Sequence, residues 1–293
     1  MRAVVIGAAG QVGAALVAGL RRGGHAVLGT HYRVTTPDTE PLDVTDAAAV
    51  ERQIARAHGG AVDYVFCPAG LTAVDYCEDH PDDAFRVNRD AAGVAARAAA
   101  RRGAGFVYYS TEYVFDGTAG PYAEDAPVAP LSVYGRSKLE GEQLVAKENP
   151  KGAVIRTTVA YGPEPQGKNF VCQVLRRGRA GEAMRAPNDQ RSSPTYNEDL
   201  AEASIELAAR AWAGVINVVG PEVLDRYAFG RLVCEVFGLD PGFLTPVATA
   251  SLGQKAPRPL RAGLAIGRAR ALLKTPLRGP REGLGAMRAA LVG

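Results

Sequence analysis

Ala3-Val-Val-Ile6 runs directly into Gly7-Ala-Ala-Gly10-Gln-Val-Gly13 and then into a helical pattern from Ala14 to Leu20. A short apolar strand, a glycine turn and a helix in that order constrain a chain strongly, because each glycine answers a separate steric demand. Gly7 allows the tight turn, Gly10 lets backbone N–H groups approach a pyrophosphate, and Gly13 lets the helix lie close on the sheet. Gln11 and Val12 fall between the last two and join them as candidate cofactor-binding residues. The spacing is GxxGxxG rather than GxGxxG in a chain of 34 glycines. The weight therefore rests on the strand, turn and helix context.

Beyond the first helix the chain keeps alternating strand and helix. His25–Gly29, Asp63–Cys67, Gly105–Tyr109 and Gly152–Arg156 read as strands; Asp46–Ala57, with Asp46 in its first turn, Pro81–Arg102 and Leu131–Lys147 read as helices. Right-handed crossovers turn this order into an α/β fold, a Rossmann-type doubly wound parallel sheet with helices on both faces. Ligands of such sheets sit at the carboxyl ends of the strands, where Gly7, Ala69, Gly70, Ser110 and Thr111 fall. Residues 1–160 are thus expected to form the dinucleotide-binding domain. Beyond Tyr161, Pro163, Pro165, Pro187 and Pro194 break the rhythm, and 161–293 is expected to be mainly a smaller C-terminal substrate-binding lobe. Lys168–Gly178, Asn197–Trp212, Asp225–Phe237 and Leu264–Lys274 read as its helices, and a segment near 197–220 is expected to return to the main domain through a strand at Gly214–Val219.

Tyr134-Gly-Arg-Ser-Lys138 places a phenol and an ammonium four residues apart on one helix face. A free phenol, with a pKa near ~10, is a poor acid at neutral pH, and a nearby cation favours its ionised form. The pair suits protonation of a carbonyl oxygen as hydride reaches its carbon. With 11 tyrosines in 293 residues, chance alone predicts roughly 0.2 such pairs, so the motif gains force only beside the glycine turn.

A net charge of +3, with no basic run interleaved with aromatics, argues against nucleic acid and for a small-molecule partner. The four cysteines Cys67, Cys77, Cys172 and Cys234 lie far apart, and the four histidines form no ligand spacing with them, so neither a disulfide frame nor a metal is expected. No run approaches 18 apolar residues free of charge or glycine, so no membrane association is expected and a soluble, cytoplasmic protein is. A homodimer is left open, since no apolar helix face is distinctive enough to assign.

Tyr109-Ser-Thr-Glu-Tyr-Val-Phe-Asp-Gly117, Pro121-Tyr122, Pro130-Leu131 and Tyr134-Gly-Arg-Ser-Lys-Leu-Glu-Gly-Glu142 resemble the extended short-chain dehydrogenase/reductases, and within them the dTDP-4-dehydrorhamnose reductase group. The stretch Ala69 to Asn88, Arg156-Thr157, Tyr161-Gly162 and Arg258-Pro259 are similar to the same group, which also resembles the regulatory subunit of methionine adenosyltransferase. The resemblance implies a catalytic triad of Thr111, Tyr134 and Lys138. In it Thr111 would hydrogen-bond the carbonyl, Tyr134 would supply the proton, and Lys138 would lower the Tyr134 pKa and hold the ribose hydroxyls. Ser110 is the rival hydroxyl, since alternation along a strand end turns only one of the two to the cleft. The resemblance also implies Asp43 and Val44 beside the adenine and Ala69 and Gly70 on the nicotinamide side.

The end of the second strand, Gly29-Thr-His-Tyr-Arg33, offers a cation where an NAD-preferring fold usually offers a carboxylate. Arg33 would pair with a 2′-phosphate, so NADPH is expected, with NADH as the alternative. Related dehydratases place an Asp-Glu pair after the catalytic Thr, where this chain has Glu112-Tyr113; simple reduction of a keto group on a nucleotide-linked sugar is the expectation. Glu112 replaces the usual Asp and is expected to reach about 1.5 Å further into the substrate space. Val159 stands where the group usually has a Trp against the substrate. Glu112, Tyr113 and Val159 join Thr111 as candidate substrate-binding residues, and a non-catalytic NADP-binding regulatory subunit is the alternative function.

Overall fold

The computed structural model describes residues 1–164 and 166–292; Pro165, among the prolines named above, lies outside the described residues. From the N-terminus the chain runs β1 (Arg2–Ile6), α1 (Gln11–Arg22), β2 (Ala26–His31), β3 (Thr39–Pro41), α2 (Ala47–Arg56), β4 (Tyr64–Cys67), α3 (Val74–Asp79), α4 (Pro81–Phe85), α5 (Ala92–Arg101), β5 (Gly105–Thr111), α6 (Val133–Glu148) and β6 (Ala153–Thr157). It continues through β7 (Ala160–Tyr161), α7 (Phe170–Ala180), β8 (Met184–Pro187), β9 (Arg191–Ser192), β10 (Thr195–Tyr196), α8 (Asn197–Ala209), β11 (Gly214–Asn217), β12 (Leu224–Asp225), α9 (Arg226–Phe237), β13 (Leu244–Val247), α10 (Gly267–Leu272) and α11 (Pro280–Val292).

Seven strands form one sheet in the order β11-β6-β5-β4-β1-β2-β3, every neighbour parallel. A strand covered on both faces reads as an unbroken apolar run, and β5 is buried along its whole length. Leu16 and Leu20 of α1 and Leu200 and Leu207 of α8 share a core with Val5, Phe66, Val107 and Ile155. Ile54 of α2, Ala96 of α5 and Val145 of α6 close over Val4, Val65, Phe106 and Tyr108 on the other face. The order reverses between β1 and β4, which opens a crevice at the carboxyl ends of those strands. A separate core of Tyr161, Val174, Phe229, Val233 and Leu284 joins α7, α9 and α11. Around it β7 pairs with β10 and β8 with β13 in parallel, and β9 pairs with β12 antiparallel.

Several elements depart from their sequence reading for local reasons. The helix expected over Pro81–Arg102 is interrupted by a π-helical stretch at Arg86–Ala91, where the Asn88 carbonyl takes the Tyr108 hydroxyl at 2.7 Å. Asp46 stands outside its helix as the cap, its Oδ1 accepting the Ala49 N–H at 3.0 Å. Leu264 and Ala265 are not helical, because their N–H groups donate to Ser193 Oγ (3.3 Å) and to the Tyr122 carbonyl (2.8 Å). Only Gly267–Leu272 remains helical there. The helix from Asn197 stops at Ala209, with Ala211 at φ 48° beyond it. β3, with three residues, and α3, with six, are too short for a periodic signal, and Gly283 and Gly285 hide α11.

Candidate active site

The turn from β1 to α1 is built by its glycines. Gly7 has φ 92°, and a Cβ on it would stand 3.0 Å from the Ala69 backbone. At Gly13 a Cβ would be 2.1 Å from the Gly7 carbonyl oxygen, so α1 approaches the turn as closely as a bare backbone allows. α1 begins at Gly10 with no side-chain cap and no acid in its first turn, so its free N–H groups and dipole remain for an anion. A cavity of about 890 Å³ opens there, and Gly7, Gly10, Arg33, Asp43, Val44, Ala69 and Gly70 all line it. These residues fit a dinucleotide: bare helix N–H groups for its pyrophosphate and the Arg33 cation, with no carboxylate, at the end of β2.

Two residues of the turn, Gln11 and Val12, supply backbone N–H groups to the start of α1, while they are not among the residues that line the cavity. The Val12 side chain faces inward against the core shared by α1 and α8, and Gln11 is half-buried with its Nε2 unpartnered. The helical period turns both away from the cavity, which Gly7 and Gly10 reach through backbone. The Asp43 carboxylate is taken up locally by the Thr45 N–H (2.9 Å) and hydroxyl (2.7 Å). Gln166 and Lys168, beyond the expected domain boundary, also line the cavity, and Gln166 Nε2 donates to the Ala9 carbonyl at 3.3 Å. No local pattern marked these two, since only the tertiary fold carries their loop across the glycine turn.

The cavity ends at Gly70, where an added Cβ would lie 3.8 Å from Lys138 Nζ. Thr111 closes β5, and Tyr134 and Lys138 rise from the first turns of α6, all three nearly sequestered from solvent at 6%, 8% and 5% exposure. α6 starts at Ser132, whose Oγ accepts the Gly135 N–H at 3.2 Å. Gly135 is required, because a Cβ there would be 2.2 Å from the Tyr113 carbonyl oxygen. Burial pushes the Tyr134 phenol up, and the nearby Thr111 hydroxyl draws it back. Thr111 Oγ1 accepts the Tyr113 N–H at 3.2 Å, whereas Ser110 Oγ is buried with no partner among the described residues. The Lys138 ammonium sits on the face of Tyr108, 4.0 Å from the ring centre, and burial pulls it down to about 8. Burial of the ring is the largest effect on the Tyr134 phenol and opposes the lowering expected from Lys138.

Asn88 is a member of the site that the pattern of residues did not single out. It is fully buried, its Nδ2 donating to Ser137 Oγ and the Leu71 carbonyl, both at 3.0 Å, and its Oδ1 accepting the Leu71 N–H at 2.8 Å. It fixes the cavity's inner wall to α6. A mid-helix Asn with no solvent face was the available signal.

Glu112 is corrected as a substrate ligand. Its carboxylate is buried and already engaged, accepting from Ser192 Oγ at 2.6 Å and the Gly263 N–H at 3.1 Å, and burial raises its pKa. The longer side chain reaches into the neighbouring loops instead of the substrate space. Tyr113 lies edge-on to Tyr134, ring centres 5.4 Å apart, and its hydroxyl accepts from Gln190 Nε2 at 3.4 Å. Val159 has φ 44°, a strained conformation for a β-branched residue, and packs against the core of α7, α9 and α11. Among the described residues no group of three or more His, Cys, Asp or Glu is placed to hold a metal, and no helix is long and apolar enough to cross a membrane.

The chain is 38% identical over 296 residues, 99% of its length and 93% of the relative's, to a dTDP-4-dehydrorhamnose reductase of Mycobacterium tuberculosis (strain ATCC 25618 / H37Rv). Its fold superposes with TM-score 0.90 at 28% identity, covering 99% of each chain, on a dTDP-4-dehydrorhamnose reductase of Bacillus anthracis str. Ames in complex with NADP. It is also 31% identical over 265 residues, 88% of its length and 78% of the relative's, to methionine adenosyltransferase 2 subunit beta of Xenopus tropicalis. The family model described as RmlD substrate binding domain matches residues 1–292, and the chain belongs to that family.

Proposed function

We propose that this protein reduces a keto group on a nucleotide-linked sugar, with NADPH as the reductant. The observation that carries the reading is Lys138 standing beside Gly70, a wall of the glycine-built crevice that Arg33 also lines, with Tyr134 one helical turn earlier on α6 and Thr111 at the end of β5. When bound, NADPH supplies hydride to the carbonyl carbon. Thr111 Oγ1 donates to the carbonyl oxygen and orients it, and the Tyr134 hydroxyl delivers the proton that completes the alcohol. Lys138, one helical turn from Tyr134, holds a positive charge near the phenolate left behind and is placed to bind the ribose hydroxyls. Glu112 and Asn88 position these groups: the first anchors the turn after Thr111, the second holds α6 against the cavity wall. Gly7, Gly10 and the N–H groups that begin α1 hold the pyrophosphate, Arg33 the 2′-phosphate, and Ala69 and Gly70 the nicotinamide end.

In this reading residues 1–160 with 197–220 form the cofactor domain, and the remainder of 161–293 forms the lobe that closes on the sugar, with Tyr113 and Val159 on its inner side. The protein works in the cytoplasm. The test is Tyr134→Phe assayed with NADPH across a panel of keto nucleotide sugars, with cofactor binding measured in parallel. Turnover is expected to fall by a factor of about 10² or more with NADPH affinity nearly unchanged. Full activity in the variant would remove Tyr134 as the acid. A wild-type protein that binds NADPH tightly but turns over no sugar would support the alternative, a regulatory subunit similar to the Xenopus tropicalis relative.

A further inference from the structure

Arg226 opens α9, and its guanidinium lies half-buried over the Phe170 ring, 5.4 Å from the ring centre. Among the described residues it has neither an ion pair nor a hydrogen bond, and the Glu112 carboxylate acts on it only through space. Glu112 does not compensate it at close range, since its carboxylate oxygens are engaged by Ser192 and Gly263. In the antiparallel pairing of β12 with β9, Asp225 stands opposite Arg191, so the chain at Arg226 runs beside Gln190, whose Nε2 donates to the Tyr113 hydroxyl at 3.4 Å. The Tyr113 ring in turn rests edge-on against Tyr134, ring centres 5.4 Å apart.

A cation held partly out of water without a partner is costly, and such a group is retained where a ligand completes its coordination. A guanidinium offers five N–H donors in a fixed fork, the match for an oxyanion with two or more oxygens. The cofactor does not supply that oxyanion, because the residues lining its crevice include Arg33 and Lys168 but not Arg226. Gln190 and Tyr113 link the strand beside Arg226 to Tyr134, so a sugar whose keto group meets Tyr134 extends towards Arg226 with its phosphate. Resting on the nucleotide-sugar reading above, we propose that Arg226 receives the sugar-linked phosphate of the substrate's diphosphate and so sets how the keto group is placed.

The experiment uses the full chain loaded with NADP. Thymidine and uridine diphosphates, and the two nucleosides alone, are titrated into wild type, Arg226→Ala and Arg226→Lys. Nucleoside diphosphate binding is expected to weaken about tenfold or more in Arg226→Ala and to recover in part in Arg226→Lys. The nucleosides should be affected little, and NADPH affinity and Tm should not move, which separates a phosphate contact from a merely structural role. With a turned-over sugar, KM rises far more than kcat falls. Unchanged diphosphate binding in Arg226→Ala overturns the proposal, as does an effect confined to sugars that carry a carboxylate, or a wild type that binds no nucleoside diphosphate. Loss of diphosphate binding in a protein that reduces no sugar would uphold the Arg226 contact and sink the reductase reading alone.

Discussion

Lys138 carries an opposition between two effects of pH. Burial pulls its ammonium down to about 8, while the ordinary value is 10.5. If the protonated form serves the reaction, kcat/KM for NADPH, which reports the free enzyme, should fall as pH rises through about 8. Stability should move the other way. Between about 8 and 10.5 the unfolded chain binds more protons at this lysine than the folded one, so this group's contribution to stability increases with pH across that window. Paired pH profiles of kcat/KM and of Tm are the check; a parallel decline of both would assign the activity loss to unfolding rather than to Lys138. The Tyr134–Lys138 spacing was legible from four residues on one helix. The depressed ammonium was not, because it comes from burial, which segments distant along the chain supply.

At the scale of elements, the turn from β1 to α1 illustrates how little room the crevice leaves. Gly13→Ala would drive a methyl group to 2.1 Å from the Gly7 carbonyl oxygen and 2.8 Å from Ala8 Cα, both backbone atoms that cannot swing aside. The expected cost is about 2 kcal/mol or more, with weaker NADPH binding, since relief of the clash moves the Gly7–Gly10 turn. Chemical denaturation and cofactor titration measure the two losses, and a variant as stable as wild type would show that α1 can tilt. These demands were readable in order from the strand, glycines and helix. The π-helical stretch around Asn88 was not, because its cause is Tyr108 reaching across from β5 to the Asn88 carbonyl. The failed helix at Leu264 has a similar cause, with Ser193 and Tyr122 claiming its N–H groups.

At the scale of the whole molecule, Glu112 links parts of the chain that are remote in sequence. One buried carboxylate joins the end of β5 to Ser192 of β9 and to the loop at Gly263. Glu112→Ala would leave the Ser192 hydroxyl and the Gly263 N–H buried without their acceptor. A loss of about 3 kcal/mol is expected. Glu112→Gln, which keeps one acceptor oxygen, should recover part of it. Denaturant midpoints of the two variants test this, and a neutral Glu112→Ala would mean the loops hold their place without the tie. Activity should fall with stability in both variants, since the turn after Thr111 shares the same anchor.

The order of strands and helices, the glycine turn, the Tyr134–Lys138 pair and the cation at Arg33 were determined by the sequence itself, because each depends on neighbours within a few positions. What the tertiary structure decided lies where separate segments meet. Ser110 is buried with no partner among the described residues, the Glu112 carboxylate is taken up by Ser192, Lys168 joins the cofactor cavity, and Arg226 has no ion pair or hydrogen bond among the described residues. The physical reason is the same in each case: a side chain's direction and its partners depend on burial and charge supplied by segments far away along the chain, which no local period encodes.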